Sequence, residues 1–441
     1  MNKILLLILL SIDLIIIYLF NKKDIINPAV LFCFGFIVAT IDLISMMKIW
    51  PYDISYKTIL VLVFSPLVFE IGDKCSHIFV LKKGKNESIN KRKGINIDAI
   101  LQSNTKIFLI VLCFNIIVFI VHLYSIVKVT KDAGFSGGIF HLAFKYGEVK
   151  KSLIKNEIND IGFIKYFYLI VIYNSYIWGY LNAYIIAKLK KIRWDILLCW
   201  ITSVFTMITE GTRGNAIYAI IGFIIIYMIL NRKFSSNQYR ISFSLLLKVI
   251  IAMILLIFLF NLFILISNVN VGTSDSWEYI SFYLGAPILN LNSIIENKIK
   301  VPTNFGRNTF DGIYTWLSKK FDLYFPNDSQ ITFNSIDGKL LGNVYTIYRS
   351  IIQDFGFFGM EIFIWIMAFV TGKLYKATCK DCEKLNVSNI CYIYIIPLII
   401  LSFFSNKFSE GTITIAYIYN IIFWNITIYF FKWRVEKNEK N

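Results

Sequence analysis

"WDILLCWITSVFTMITEGTRGNAIYAIIGFIIIYMILNRK", residues 194–233, holds two apolar runs, 194–209 and 215–230, parted only by "EGTRG". Each run is a little short of the roughly 20 residues that a helix needs to cross a bilayer core. With Gly211 and Gly214 as turn residues, the stretch predicts a tight hairpin of two membrane helices. The turn contains Glu210 and Arg213, three positions apart. At mid-membrane each would cost about 2.5–3.5 kcal/mol. A greasy chain that carries such a pair needs either a membrane face or a site to put it in.

The rest of the chain fits that reading. Of 441 residues, 57% are hydrophobic, 17% aromatic and only 17% charged, and the mean hydropathy is +0.62. Those values suit an integral membrane protein. The formal charge of +17 does not indicate nucleic acid, because the basic residues sit in short clusters between apolar runs, as juxtamembrane loops do. Apolar runs recur at 4–20, 29–47, 58–80, 105–128, 162–187, 194–209, 215–230, 243–267, 350–372, 389–405 and 412–431. The expectation is an all-α polytopic membrane protein with about eleven transmembrane helices, a single integral membrane domain over 1–441. The first run has no small-residue cleavage site after it and reads as a retained helix. Cys379 and Cys382 form a C-x-x-C, but no second ligand pair follows at zinc spacing. The seven cysteines read as unpaired thiols.

Lys and Arg in the loops set the orientation. The alternating set 21–24, 82–93, 188–193, 231–240, 373–384 and 432–441 carries 23 basic against 6 acidic residues. The other set, 48–57, 129–161, 210–214, 268–349 and 406–411, nets close to zero. The first set is therefore expected in the cytoplasm, with the N-terminus outside and the C-terminus inside. The "EGTRG" turn then faces outward, and so does the long loop 268–349. Within that loop "SWEYISFYLGAPILNLNSIIEN", 276–297, is aromatic-rich and broken at Gly285 and Pro287. It predicts one or two short interfacial helices lying on the membrane surface.

Five of the eight arginines, Arg92, Arg193, Arg232, Arg240 and Arg434, are positive-inside anchors. The other three, Arg213, Arg307 and Arg349, face outward, where topology does not ask for them. A guanidinium is always charged and presents a rigid fork of donors suited to phosphate, so three of them near the outer leaflet could hold a lipid diphosphate. The competing reading pairs Arg213 with Glu210, lets Arg349 snorkel and leaves Arg307 solvated. Tyr345, Arg349 and Gln353 are spaced by four and predict one helix face. Asp354 and Glu361, seven apart, predict another. Glu410, in the outward "NKFSEGT", and Asp311, four after Arg307, are candidate general bases. Of the three histidines only His141, in loop 129–161, is a site candidate. Asp13, Asp42 and Glu70 lie inside spans without an assignable role. No Walker loop, dinucleotide fingerprint, HExxH or Ser-His-Asp spacing is evident, so neither cofactor nor metal is expected.

Between about 200 and 375 the chain resembles the bacterial oligosaccharide repeat unit polymerases, the O-antigen polymerase (Wzy) family. "EGTRG" looks like that family's G-[ST]-R-G segment. "GNVYTIYRSIIQDFGFFGMEIFIW", 342–365, resembles its N-x-Y-T…D-F-G-x-x-G stretch, and "YLGAPILNLN", 283–292, its loop segment with a Pro and small residues. The resemblance implies polymerisation of undecaprenyl diphosphate-linked repeat units on the outer face of the bacterial cytoplasmic membrane, by metal-independent glycosyl transfer. It implies partners in membrane lipids and in the flippase and chain-length regulator of the same pathway, and surface polysaccharides such as O-antigen or capsule as product. By motif position it singles out Arg213, Asn343, Tyr345 and Asp354. The alternatives are a flippase for the same lipid-linked sugar, an O-antigen ligase-type transferase, and an outer-face acyltransferase built on His141.

Overall fold

The computed structural model describes residues 1–83, 94–103, 105–153, 162–210, 214–235, 276–297, 304–326 and 333–438. Along the chain run α1 (Asn2–Phe20), α2 (Pro28–Ser45), α3 (Tyr56–Lys83), β1 (Ile95–Asn96), α4 (Ile97–Ser103), α5 (Thr105–Asp132), α6 (Ile139–Leu153) and α7 (Ile164–Tyr184). There follow α8 (Trp194–Ile208), α9 (Gly214–Phe234), α10 (Ser276–Leu284), α11 (Ala286–Glu296), α12 (Asp311–Phe321), β2 (Asn334–Ile336) and β3 (Lys339–Gly342). The last elements are α13 (Tyr348–Asp381), β4 (Lys384–Leu385), α14 (Val387–Ile400), α15 (Lys407–Thr412) and α16 (Ile415–Asn438). Strand among the described residues is confined to two short antiparallel pairs, β1 with β4 and β2 with β3.

Each expected apolar run that falls on described residues is helical over most of its length; the run 243–267 lies outside them. Among the described residues six helices are long and apolar enough to cross a membrane by length and composition: α1, α2, α5, α7 with its π-helical extension to Leu189, α9 and α13. The shorter α8 and α14 are also apolar. In α1, Leu6, Leu10 and Ile17 are buried while Ile4, Ile8, Ile12, Ile15 and Leu19 are exposed. An open apolar stripe of that kind is rare on a soluble protein and natural against lipid. These helices mark a membrane-embedded, mostly helical protein.

Contacts divide the chain into two compact units. The first comprises residues 1–92, 271–380 and 395–419. Here α1 packs on α2 and α3, and α3 meets α13 closely through glycines. A Cβ at Gly72 would lie 2.5 Å from the Trp365 carbonyl oxygen, and one at Gly372 would lie 2.1 Å from Asp73 Oδ1. Small residues let membrane helices approach to this distance. At one end of the unit Asn21 donates to Glu70 (2.7 Å), Asn27 to Asp73 (3.0 Å) and Tyr375 to Asp24 (2.5 Å). At the other end Ser55 N and Thr58 Oγ1 both donate to Asn292 Oδ1 (2.8 Å), Tyr52 to the Ile336 carbonyl (2.7 Å), and Ile347 N to the Ser402 carbonyl (2.8 Å).

The stretch 276–297 breaks at Gly285, as its sequence predicts, into α10 and α11. The second helix is packed within the unit: Ala286, Pro287, Ile288, Leu289, Asn290 and Leu291 are buried, against α2, α3 and β3. Asp42, within α2, explains the seat. Its carboxylate accepts from Ser281 Oγ (2.9 Å) and from Gly285 N (3.0 Å). A Cβ at Gly285 would stand 2.7 Å from Leu43 N, so only glycine lets the chain turn there. The β2–β3 hairpin turns on Asp337 (φ 46°) and Gly338 (φ 78°), the Asp-Gly pair that a two-residue turn with positive φ at both positions favours. Asn290 Nδ2 holds the hairpin by donating to the Leu341 and Val344 carbonyls (3.1 and 2.7 Å).

The second unit comprises residues 93–270, 381–394 and 420–441. α5, α7, α8 and α9 form its core. Polar side chains join them: Asn115 Nδ2 donates to the Cys199 carbonyl and to Ser203 Oγ (both 3.2 Å), and Asn182 Nδ2 to the Ile196 carbonyl (3.1 Å). None of the seven cysteines forms a disulfide among the described residues.

Candidate functional site: a polar cavity in the first unit

The start of α13 owes its shape to one residue. Gly356 has φ 68° and ψ −175°, a region essentially closed to residues with a Cβ. It interrupts the helix between a polar first segment, 348–355, and the apolar length that follows. Asp354 and Glu361 therefore do not share a face, although they are seven apart. Asp354 turns to the loop before α12 and accepts from Thr309 N (2.6 Å) and Asn308 N (3.3 Å). Glu361 instead accepts from Ser65 Oγ on α3 (2.8 Å). Tyr345 precedes the helix, so its alignment with Arg349 is not helical periodicity. The Arg349 guanidinium lies over the Tyr345 ring, 4.4 Å from its centroid.

Three segments, 308–312, 343–353 and 404–410, close around a cavity of about 650 Å³, with Tyr283 of α10 in its wall. Its charged lining is Arg349, Lys407, Glu410 and Asp311. Asp311 is paired with Arg307, which is buried and also lies over the Tyr314 ring at 5.3 Å. Glu410 is paired with Lys407 and accepts from Ser405 Oγ (3.0 Å). The Thr346 and Ser409 hydroxyls are buried and make no hydrogen bond among the described residues. One bond fixes the third segment to the second, Asn406 Nδ2 donating to Ser350 Oγ (2.8 Å), while Asn406 Oδ1 caps α15 by accepting from Ser409 N (3.2 Å). The helix that carries Arg349 and the turn that carries Lys407 and Glu410 are thereby held together.

Six candidates chosen from sequence, Asp311, Asn343, Tyr345, Arg349, Gln353 and Glu410, line this one cavity. Arg307 reaches it only through Asp311, and Asp354 supports its wall from behind. Glu210 and His141 belong to the second unit. There Glu210 Oε1 lies 3.7 Å from Nε2 of His122, whose ring stacks on Tyr168 with centroids 4.1 Å apart. His141 is half-buried at the start of α6. Arg213 lies outside the described residues. Sequence reasoning missed Lys407, Asn406, Thr346 and Ser409. The signal for Lys407 was its place three residues before Glu410, the spacing of a one-turn ion pair.

Among the described residues no three His, Cys, Asp or Glu side chains group to hold a metal. The cavity offers cations for an anionic group, carboxylates that can take a proton, and amides and hydroxyls suited to a polyhydroxylated ligand. The chain matches no known family model, no characterised protein and no solved structure.

Proposed function

We propose that the chain is a polysaccharide polymerase of the cytoplasmic membrane, which joins lipid diphosphate-linked oligosaccharide repeat units on the outer face, as the resemblance of 200–375 implies. The observation that carries this reading is the convergence of Arg349, Tyr345, Asn343, Gln353, Glu410 and Asp311 on one cavity large enough for sugar residues. In the reaction a hydroxyl of the acceptor unit attacks the anomeric carbon of the donor. Its oxygen forms the new glycosidic bond as the bond from that carbon to the diphosphate oxygen breaks. The electron pair leaves with the diphosphate, and the hydroxyl proton goes to a carboxylate, Glu410 or Asp311. Charge grows on the leaving diphosphate in the transition state. A preorganised guanidinium stabilises it there, and electrostatic terms of this kind are often the largest in catalysis. Arg349 fills that role in the cavity.

The chain is read with eleven spans, the N-terminus outside and the C-terminus inside. Support comes from the first unit, where 52–58, 281–292, 336–347 and 402–406 meet at one end while 21–27 meets Glu70, Asp73 and Tyr375 at the other. The first group holds the near-neutral outer segments and the second a basic inner loop. Reporter fusions near Lys150 and Asn308 should read outside, and those after Lys93, Arg193, Arg240 and Lys384 inside. An inside result at Asn308 removes the cavity from the outer face and with it the proposed reaction.

A flippase acting on the same lipid would also abolish polymer when lost. The two differ in what accumulates. A strain lacking this chain should display single repeat units on the outer leaflet, open to an impermeant lectin or glycosidase. Units confined to the inner leaflet would make the protein a transporter.

A further inference from the structure

We propose that Lys407 is a diphosphate-binding residue held in reserve by Glu410, and that arrival of the diphosphate exchanges one partner for the other. The proposal rests on the polymerase reading for its ligand class and goes beyond it in assigning Lys407 and the order of events. Lys407 Nζ is paired with Glu410, and Ser405 Oγ holds the other carboxylate oxygen. All three side chains line the cavity that contains Arg349. The ammonium is more buried than its partner, with side-chain exposures of 24% and 50%. The Asn406–Ser350 bond ties the segment to the helix of Arg349, so the ammonium and the guanidinium are fixed to one frame. Two buried hydroxyls with no partner among the described residues, Thr346 and Ser409, line the same space and can donate to phosphate oxygens.

In the resting site both Glu410 carboxylate oxygens are engaged, one by Lys407 and one by Ser405 Oγ. A diphosphate carries more negative charge than one carboxylate and competes for the same ammonium. Once Lys407 turns to it, Glu410 retains only the Ser405 bond and becomes able to accept the proton of an incoming hydroxyl. The cavity would thus prepare its base only when a donor is present.

Binding separates this from a structural ion pair. The full chain in neutral detergent is titrated with farnesyl diphosphate, with inorganic pyrophosphate and phosphatidylglycerol as competitors. Lys407→Gln should weaken binding about tenfold, the size of a lost charged hydrogen bond, and Lys407→Arg should restore most of it. Glu410→Gln should tighten binding severalfold by freeing the ammonium, and that gain should vanish in the Lys407→Gln background. Pyrophosphate should compete and phosphatidylglycerol should not. The exchange is overturned if Lys407→Gln binds like wild type, if the Glu410→Gln gain persists without Lys407, or if the phospholipid competes equally. Polymer formation from lipid-linked units is read separately. A ladder with unchanged Lys407→Gln binding removes the exchange and leaves the polymerase; the expected binding without a ladder does the reverse.

Discussion

Both units bury polar side chains among apolar helices, and they use them to different ends. In the second, Asn115 and Asn182 spend their amides on the Cys199 and Ile196 carbonyls, and Tyr180 donates to the Cys382 carbonyl at 2.9 Å. Each bond closes one helix or turn on another. In the first unit, Arg349, Lys407, Glu410, Gln353 and two buried hydroxyls face a common cavity. A polar residue inside a membrane protein is expensive in either case. What distinguishes a site from a fastening is whether the polar atoms converge on a space or on one another.

Substitutions in the two units should separate sharply. The largest effect belongs to Arg349→Lys, which keeps the charge and loses the planar fork. Polymer synthesis should fall about 100- to 1,000-fold, the range seen when one preorganised donor to a developing anion is removed, with normal membrane levels. Near wild-type synthesis would reduce Arg349 to a headgroup anchor.

Gly356→Ala comes next. A Cβ there meets nothing within 4 Å, so its cost is purely that of the backbone conformation, about 1–3 kcal/mol. Thermal unfolding in detergent should show that loss, together with reduced activity as the polar segment 348–355 shifts. If space alone mattered, the variant would unfold like wild type.

The smallest effect is expected for Asn115→Ala in the second unit. Interhelical hydrogen bonds within membranes contribute about 0.6 kcal/mol on average. Stability should drop by about that amount while activity per folded molecule stays unchanged. A large activity loss at preserved stability would show that the second unit's polar groups do more than fasten helices.

The helical runs were legible because a bilayer imposes length and composition on each segment directly. The break at Gly285 and the polar start of α13 were legible for a similar reason, since glycine and clustered polar residues interrupt an apolar pattern. The burial of α11 was not, because it depends on Asp42, over 240 positions away in the chain, offering two acceptor sites to one turn. The Asp337–Gly338 hairpin carried a local signal that the length of the loop 268–349 obscured. Arg349, Tyr345 and Gln353 were found together on an i, i+4 argument that is wrong for Tyr345, which lies outside the helix and reaches Arg349 by stacking. Asp354 and Glu361 failed the same argument, because spacing assumes a continuous helix and Gly356 ends it. Lys407 escaped notice because a lysine beside a turn looks solvated until the cavity is seen.

The central claim is that the first unit's cavity transfers glycan between lipid-linked units, and reconstitution tests it most directly. Purified wild-type protein, Arg349→Lys and Asn115→Ala are each given lipid diphosphate-linked repeat units alone, without nucleotide, and products are resolved by chain length. The wild-type and Asn115→Ala proteins should build a ladder of multiples of the repeat unit with release of lipid diphosphate, and Arg349→Lys should leave single units. An equal ladder from Arg349→Lys, or single units from the folded wild type, would contradict the account.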